Sequence, residues 1–429
     1  MIRIKIFAAC LICSIAAMAE NANTPYSMYG YGILGDRATS MQRQMGGVGI
    51  AMSSGRQINV MNPASYAAID STTFLFDMGA DVSLIWSEEN GKKANSTGGG
   101  LDYVTLQFPI CKFMGASVGL LPYSSVGYAF GNDIAHGAME NQGSGGINEF
   151  YLGVAGTFAG FSLGANFSYD FGTIVDDVFA YPSTGSSKFE HVMRVRDWNV
   201  VIGAQYSFNI NRYNSIGLGM TYSPKKSMHG TVWATTQEMS QESIPTEVAR
   251  MKMKDNYHNP HSVGAGVSFT HQRSSRLHVE FDFLWQQWSK TSYAPLYATE
   301  NPDKIVFNGM EFNDRTRYSF GAEFVPKIRG NYGQRMAYRI GAYYINDYLQ
   351  VNDYLQVNDY LQVNSNGLRE YGVTAGFGFP TPEGKTVINL GFEWKARQAH
   401  PNPLIKENYL NITLGVNFNE VWFFKRKIR

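Results

Sequence analysis

The chain has 429 residues with 36 basic and 35 acidic side chains, a formal charge of +1, only 17% charged residues, 14% aromatic residues and 44 glycines. Low charge with abundant aromatics and glycine departs from the average soluble domain, and without a basic excess the usual electrostatic ground for nucleic-acid binding is missing. No apolar run of about eighteen residues or more follows the N-terminus, which excludes a bundle of transmembrane helices.

Arg3 and Lys5 precede an apolar run over residues 6–16, and Ala17, Met18 and Ala19 form a small-x-small triplet. This is the pattern of a secretory signal, so residues 1–19 are expected to be removed. Losing Arg3 and Lys5 leaves 34 basic against 35 acidic side chains, a formal charge of −1. Ile12 ahead of Cys13 and the early position of Cys10 do not form a lipoprotein site. Cys111 is then the remaining cysteine, and stability has to come from hydrogen-bonded sheet and burial rather than from a disulfide.

Residues 20–71 read as a plug. The stretch 21–35, NANTPYSMYGYGILG, is polar to aromatic and rich in turn residues. Gly30, Gly32 and Gly35 match GxGxxG, but the strand before and the amphipathic helix after that a dinucleotide site requires are absent. Residues 45–66, MGGVGIAMSSGRQINVMNPASY, are nearly uncharged and follow no regular period. Gly46, Gly47 and Gly49 permit tight turns, and Asn62-Pro63 is a turn dipeptide. Val48, Ile50, Met52, Ile58, Val60 and Met61 are too apolar for a flexible tether. Such a stretch must be held by what surrounds it, and Met45, Gly46, Gly47, Gly49, Asn62, Pro63 and Ala64 mark its centre.

From residue 72 to 418 the pattern changes to period two. Phe74, Phe76, Met78, Ala80, Val82, Leu84 and Trp86 alternate with Asp77, Asp81 and Ser83, giving one dry and one wet face. Equivalent stripes begin at Val104, Val118, Phe150, Phe161, Trp198, Ile216, Val263, Leu277, Tyr318, Tyr338, Tyr371, Ile388 and Leu410. The expected fold is all-β: a transmembrane antiparallel barrel of about 14 strands, an even number as single-chain barrels have. Long polar connections, among them residues 87–99, 131–146, 173–188, 225–259 and 346–367, alternate with short ones, which puts both termini on the short-turn, periplasmic side. Residues 419–429 are expected as a periplasmic tail in which Trp422, Phe423 and Phe424 at the membrane rim precede Lys425, Arg426, Lys427 and Arg429.

Two features interrupt the wall. Pro122, inside LLPYSS, removes a ladder hydrogen bond and marks either a lateral gap or a strand end. The hexad DYLQVN starts at Asp347, Asp353 and Asp359; its even period lengthens a hairpin without exchanging its faces. His258 and His261 in NYHNPH lack cysteines or paired carboxylates beside them and read as a solvated loop rather than a metal site. No GxSxG elbow or other catalytic set is present, so neither an enzyme nor a cofactor is expected.

MGGVGIA at 45–51 and NPASY at 62–66, with PYSMYGYG at 25–32, LLPYSS at 120–125 and the closing WFFKRK, resemble the FadL-type family of outer-membrane long-chain fatty-acid and aromatic-hydrocarbon transporters. The resemblance implies a monomeric barrel with residues 20–71 as hatch, a hydrophobic pocket in the lumen, and a kinked third strand, here the one with Pro122, as a lateral exit. It implies passive uptake of a hydrophobic small molecule, such as a long-chain fatty acid, into outer-membrane lipid of a Gram-negative bacterium. A reading from another class is a non-transporting barrel that serves as docking or shuttle subunit of a secretion or surface complex, with residues 225–259 and 346–367 as its contact surface. A general porin fits less well because of the plug.

Overall fold

The computed structural model describes residues 24–421 apart from 135–136, 183–185, 240–245, 253–256, 292–295, 298–304, 308–309, 358–359 and 383–384. The signal and the aromatic residues expected at the rim, 422–424, lie outside the described residues.

Fourteen strands close into one antiparallel barrel. They are β1 (Thr73–Glu89), β2 (Lys92–Cys111), β3 (Met114–Ile134), β4 (Gly137–Phe158), β5 (Phe161–Pro182), β6 (Ser186–Asn209) and β7 (Asn214–Ser223). There follow β8 (Ser262–Gln272), β9 (Arg276–Gln286), β10 (Arg315–Val325), β11 (Ala337–Val357), β12 (Tyr360–Pro380), β13 (Thr386–His400) and β14 (Lys406–Val421). Pairing of β14 with β1, from Thr73↔Val421 to Glu88↔Lys406, closes the ring. The last strand runs past the boundary expected at 418.

The apolar stripes face outward: Val82, Leu152, Phe167, Met220, Ile340 and Leu414 are exposed large hydrophobics, while Asp77, Thr105, Asn166, Glu280, Arg339 and Asn417 between them are buried. Hydrocarbon outside tolerates few unpaired polar groups, and closure of the ring removes the free sheet edges.

The expected long connections at 87–99, 131–146 and 173–188 are not loops. Strands β3 to β6 run for 21 to 24 residues, about 70 Å at ~3.3 Å per residue, and meet in tight hairpins far above a bilayer core. Residues 225–259 contain a further hairpin, Gly230–Met239 with Thr246–Lys252, laid against the upper half of β6. Above the bilayer the inward face turns apolar, with Val126, Ile147, Ile174, Met193 and Val195 buried in the core that fills this end, so the period-two signal disappears while the ladder continues.

The hexad copies have different roles. Pairing of β11 with β12 jumps from Asn346↔Arg369 to Gln350↔Gly367, which turns Asp347, Tyr348 and Leu349 out of the ladder; Tyr348 and Leu349 are fully buried. The second and third copies pair with each other, from Asp353↔Asn364 to Val357↔Tyr360. Deleting residues 353–358 is therefore expected to leave the barrel intact. Tyr348→Ala, which removes a buried aromatic worth about 3–5 kcal/mol, is expected to raise hydrogen exchange across the long-hairpin end. Equal exchange in the two variants would contradict this division.

Candidate functional site: the lumen and the break in its wall

Residues 24–70 run through the barrel from its long-hairpin end to its short-turn end. Thr24 N–H donates to Gly127 O near the start, a one-turn helix α1 (Ser40–Arg43) lies midway, and the 3-10 turn Pro63–Ala68 leads down to β1. This segment crosses the whole lumen rather than only entering it from the short-turn side.

Its backbone is held by side chains of the wall. Asp282 Oδ2 accepts from Gly49 N–H (2.7 Å) and Ile50 N–H (2.9 Å), and Glu280 Oε1 accepts from Ala51 N–H (2.7 Å) and Met52 N–H (3.1 Å). Gly46 N–H donates to Thr374 Oγ1 (2.9 Å), and Gly46 O accepts from Arg317 (3.1 Å). Gly46 and Gly47 adopt φ of 70° and 74°, the left-handed region open to glycine. Asn62 ties the turn together: its Oδ1 accepts from Ala64 N–H (3.1 Å), and its Nδ2 donates to Ile50 O (2.7 Å) and to Ala204 O of β6 (3.2 Å).

The wall makes room with its own glycines. A Cβ at Gly321 or Gly341 would collide with the Met45–Gly46 backbone, one at Gly219 with Ile50 O, and one at Gly164 or Gly203 with Pro63. Met45, Gly46, Gly47, Gly49, Asn62, Pro63 and Ala64 thus all lie against the wall. The inward charges that hold them were not foreseen, although they occupy the alternate positions of the stripes.

Ion pairs tie the segment down on several sides. Arg317 binds Asp36, Arg43 binds Asp102 (2.9 Å), Arg37 binds Glu149 (2.7 Å), and Arg339, paired with Glu323 (2.7 Å), also donates to Gln44 Oε1 (2.8 Å).

The wall is interrupted beside Pro122. The β2–β3 ladder runs from Cys111↔Met114 to Val104↔Leu120 and stops. Strand β3 continues along β4 as far as Ile134, with a register shift between Pro122 and Ser124. Ile33 and Leu34 of the inner segment pair with Ser125 and Ser124 of β3. A cavity of about 130 Å³ borders this break at Pro122 and Tyr123, with Leu34, Ile50 and Leu284 among its apolar lining and Arg315, Asp282 and Asn199 among its polar lining. Arg315 Nη1 donates to Gln286 (3.2 Å), its Nε has no hydrogen-bond partner, and among the described residues no carboxylate lies within ion-pair distance of it. A second, charged cavity of about 160 Å³ lies beyond Asp36, between Arg43, Glu370 and Arg397.

Toward the long-hairpin end the lumen is packed with aromatics. Trp288 and Tyr348 pack as a tilted pair with ring centroids 4.5 Å apart, Phe312 and Tyr31 pack beside them, and Tyr348 OH donates to Gly32 O (2.6 Å). His258 N–H donates to Tyr31 OH (3.4 Å), and His261 Nδ1 accepts from Lys225 N–H (3.0 Å). Neither belongs to a group of three metal-ligating side chains among the described residues.

The BamG family model matches residues 1–429. The chain belongs to the BamG family. No curated protein matches it. Among solved structures, this BamG-family barrel is similar to the Pseudomonas putida toluene transporter TodX, with 15% identity, a TM-score of 0.59, and 91% of this chain and 99% of that one covered. It is similar to a Pseudomonas aeruginosa FadL homologue with 11% identity, a TM-score of 0.60, and 90% and 99% covered. The monoaromatic hydrocarbon channel CymD gives 13%, 0.55, 91% and 99%. At such identities the likeness is one of fold: the BamG-family barrel has the FadL-type fold.

Proposed function

We propose that this barrel sits in the outer membrane of a Gram-negative bacterium and passes a small amphiphilic molecule from its lumen sideways into the bilayer. The observation that carries this reading is the end of the β2–β3 ladder at Leu120, with a lumenal cavity directly behind it. Residues 24–70 act as the hatch, and Pro122 marks the gate. Lateral exit favours an apolar ligand by about 0.8 kcal/mol per CH₂ transferred from water to hydrocarbon.

The lining narrows the ligand. A cavity on the order of 150 Å³ accommodates benzene, so about 130 Å³ holds one small ring or a short chain, and a long-chain fatty acid would extend out through the break. A bare hydrocarbon, such as the toluene named for TodX, would leave Arg315 Nε and Asp282 Oδ1, which have no hydrogen-bond partner, buried without one, at about 1–3 kcal/mol for each polar group. The ligand therefore carries a polar end. Pro122→Val, which restores a donor and strand propensity at the break, is expected to lower uptake of a fluorescent fatty acid several-fold at equal barrel abundance, and unchanged uptake would count against the gate.

A second reading, a docking or shuttle subunit, is favoured by the polar lining of the lumen and the packed aromatic end. Lipid extraction from the purified barrel separates the two: an enriched amphiphile supports passage, whereas a stoichiometric protein partner with no bound amphiphile supports docking.

A further inference from the structure

A third cavity, of about 620 Å³, opens at the short-turn end between the inner segment and the wall. It lies away from the break at Pro122, is bordered by the turns after β8, β10 and β12, and falls within the ~300–1,000 Å³ of ligand-binding clefts. Methionines 41 and 52 of the inner segment line its floor, with Met45 fully buried beneath them, and unbranched thioether side chains repack readily around different apolar groups. Ile328, Val325 and Val387 add aliphatic surface from the wall.

Its charge is one-sided. Among the described residues, Arg56, Arg276, Arg335, Arg339 and Lys385 line it against Asp70 and Glu323, in a chain that is close to neutral overall. Glu323 is already engaged by Arg276 (2.6 Å) and Arg339 (2.7 Å). Lys385 reaches Glu420 at 3.7 Å with both side chains about half exposed, a pairing worth little. Arg56 and Arg335 have no carboxylate within ion-pair distance among the described residues, and Arg335 Nε is buried without a hydrogen-bond partner. The field at this mouth is therefore positive and unneutralised.

The C-terminal segment carries Lys425, Arg426, Lys427 and Arg429, which the cavity repels, and Thr24 lies at the opposite end of the lumen beside Gly127. Membrane lipid is kept away by the wall that surrounds the cavity.

We infer that this mouth docks an acidic, partly apolar extended segment of a periplasmic protein, its carboxylates on Arg56 and Arg335 and its apolar side chains on the methionine floor. The inference does not depend on passage through the wall. It is tested with the full barrel in detergent and two fluorescein-labelled peptides, one alternating Glu and Leu and one alternating Lys and Leu. The Glu-Leu peptide is expected to bind, to weaken with salt, and to lose about tenfold or more in affinity in the Arg56→Glu, Arg335→Glu double variant. The Arg56→Lys, Arg335→Lys variant, which keeps the charge, is expected to retain binding and so to separate loss of charge from loss of fold. Equal affinity in wild type and the glutamate variant, or equal binding of the Lys-Leu peptide to wild type, would overturn the inference.

Discussion

A barrel carrying Glu280→Ala and Asp282→Ala together is expected to conduct ions in a planar bilayer where the wild type does not. Those two carboxylates accept four successive N–H groups, from Gly49 to Met52. Removing them leaves four buried donors without acceptors. At about 1–3 kcal/mol for each unsatisfied group, the loss is on the order of 5 kcal/mol or more, comparable with the whole stability of many domains. The Glu280→Gln, Asp282→Asn pair keeps a carbonyl acceptor at each position and should remain closed. Cells with the alanine pair should also become sensitive to large antibiotics that the outer membrane excludes; a silent alanine pair would mean that the segment is held elsewhere.

Gly341→Val, two strands further along the wall, should dislodge the same segment. A Cβ there meets Met45 and Gly46 backbone, which cannot rotate away as a side chain can. Overpacking typically costs about 1–3 kcal/mol, and more where the neighbour is rigid. Valine also suits a strand better than glycine, so the wall itself should persist and still shift on heating in a gel. The readout is a cysteine at Met45, fully buried in the native barrel, in a Cys111→Ser background that removes the exposed native thiol: maleimide should label it with Gly341→Val and not with the wall unaltered. Gly333→Val, where nothing lies within 4 Å, is the control. Labelling that is the same in all three backgrounds would refute the seating of the segment against the wall.

The two variants also show why the lumen was hard to read in sequence. Glycines inside strands look like weak strand positions, and only the path of the inner segment explains Gly164, Gly219, Gly321 and Gly341. Glu280 and Asp282 looked like a wet face, as they would in a water-filled porin, yet they are buried because the segment lies on them. The break beside Pro122 was open to two readings, gap or strand end, because a proline reports a missing donor and not what lies next to it. The register decides the local geometry: β2 stops pairing at Val104, and β3 goes on with β4.

By itself the sequence determined the barrel, its fourteen strands and their outward faces. A bilayer imposes one demand on every outward side chain, and a local alternation such as that from Phe74 to Trp86 records it directly. It also carried the apolar, glycine-rich character of residues 45–66. Tertiary structure alone decided that strands run on where the alternation fades, that Tyr348 of the first hexad turns inward while later copies extend a hairpin, and that Arg317, Glu280 and Asp282 meet an inner segment. These depend on partners hundreds of residues apart in the chain, as Gly49 and Asp282 are, and a burial pattern read along one strand contains no term for what lies across the lumen.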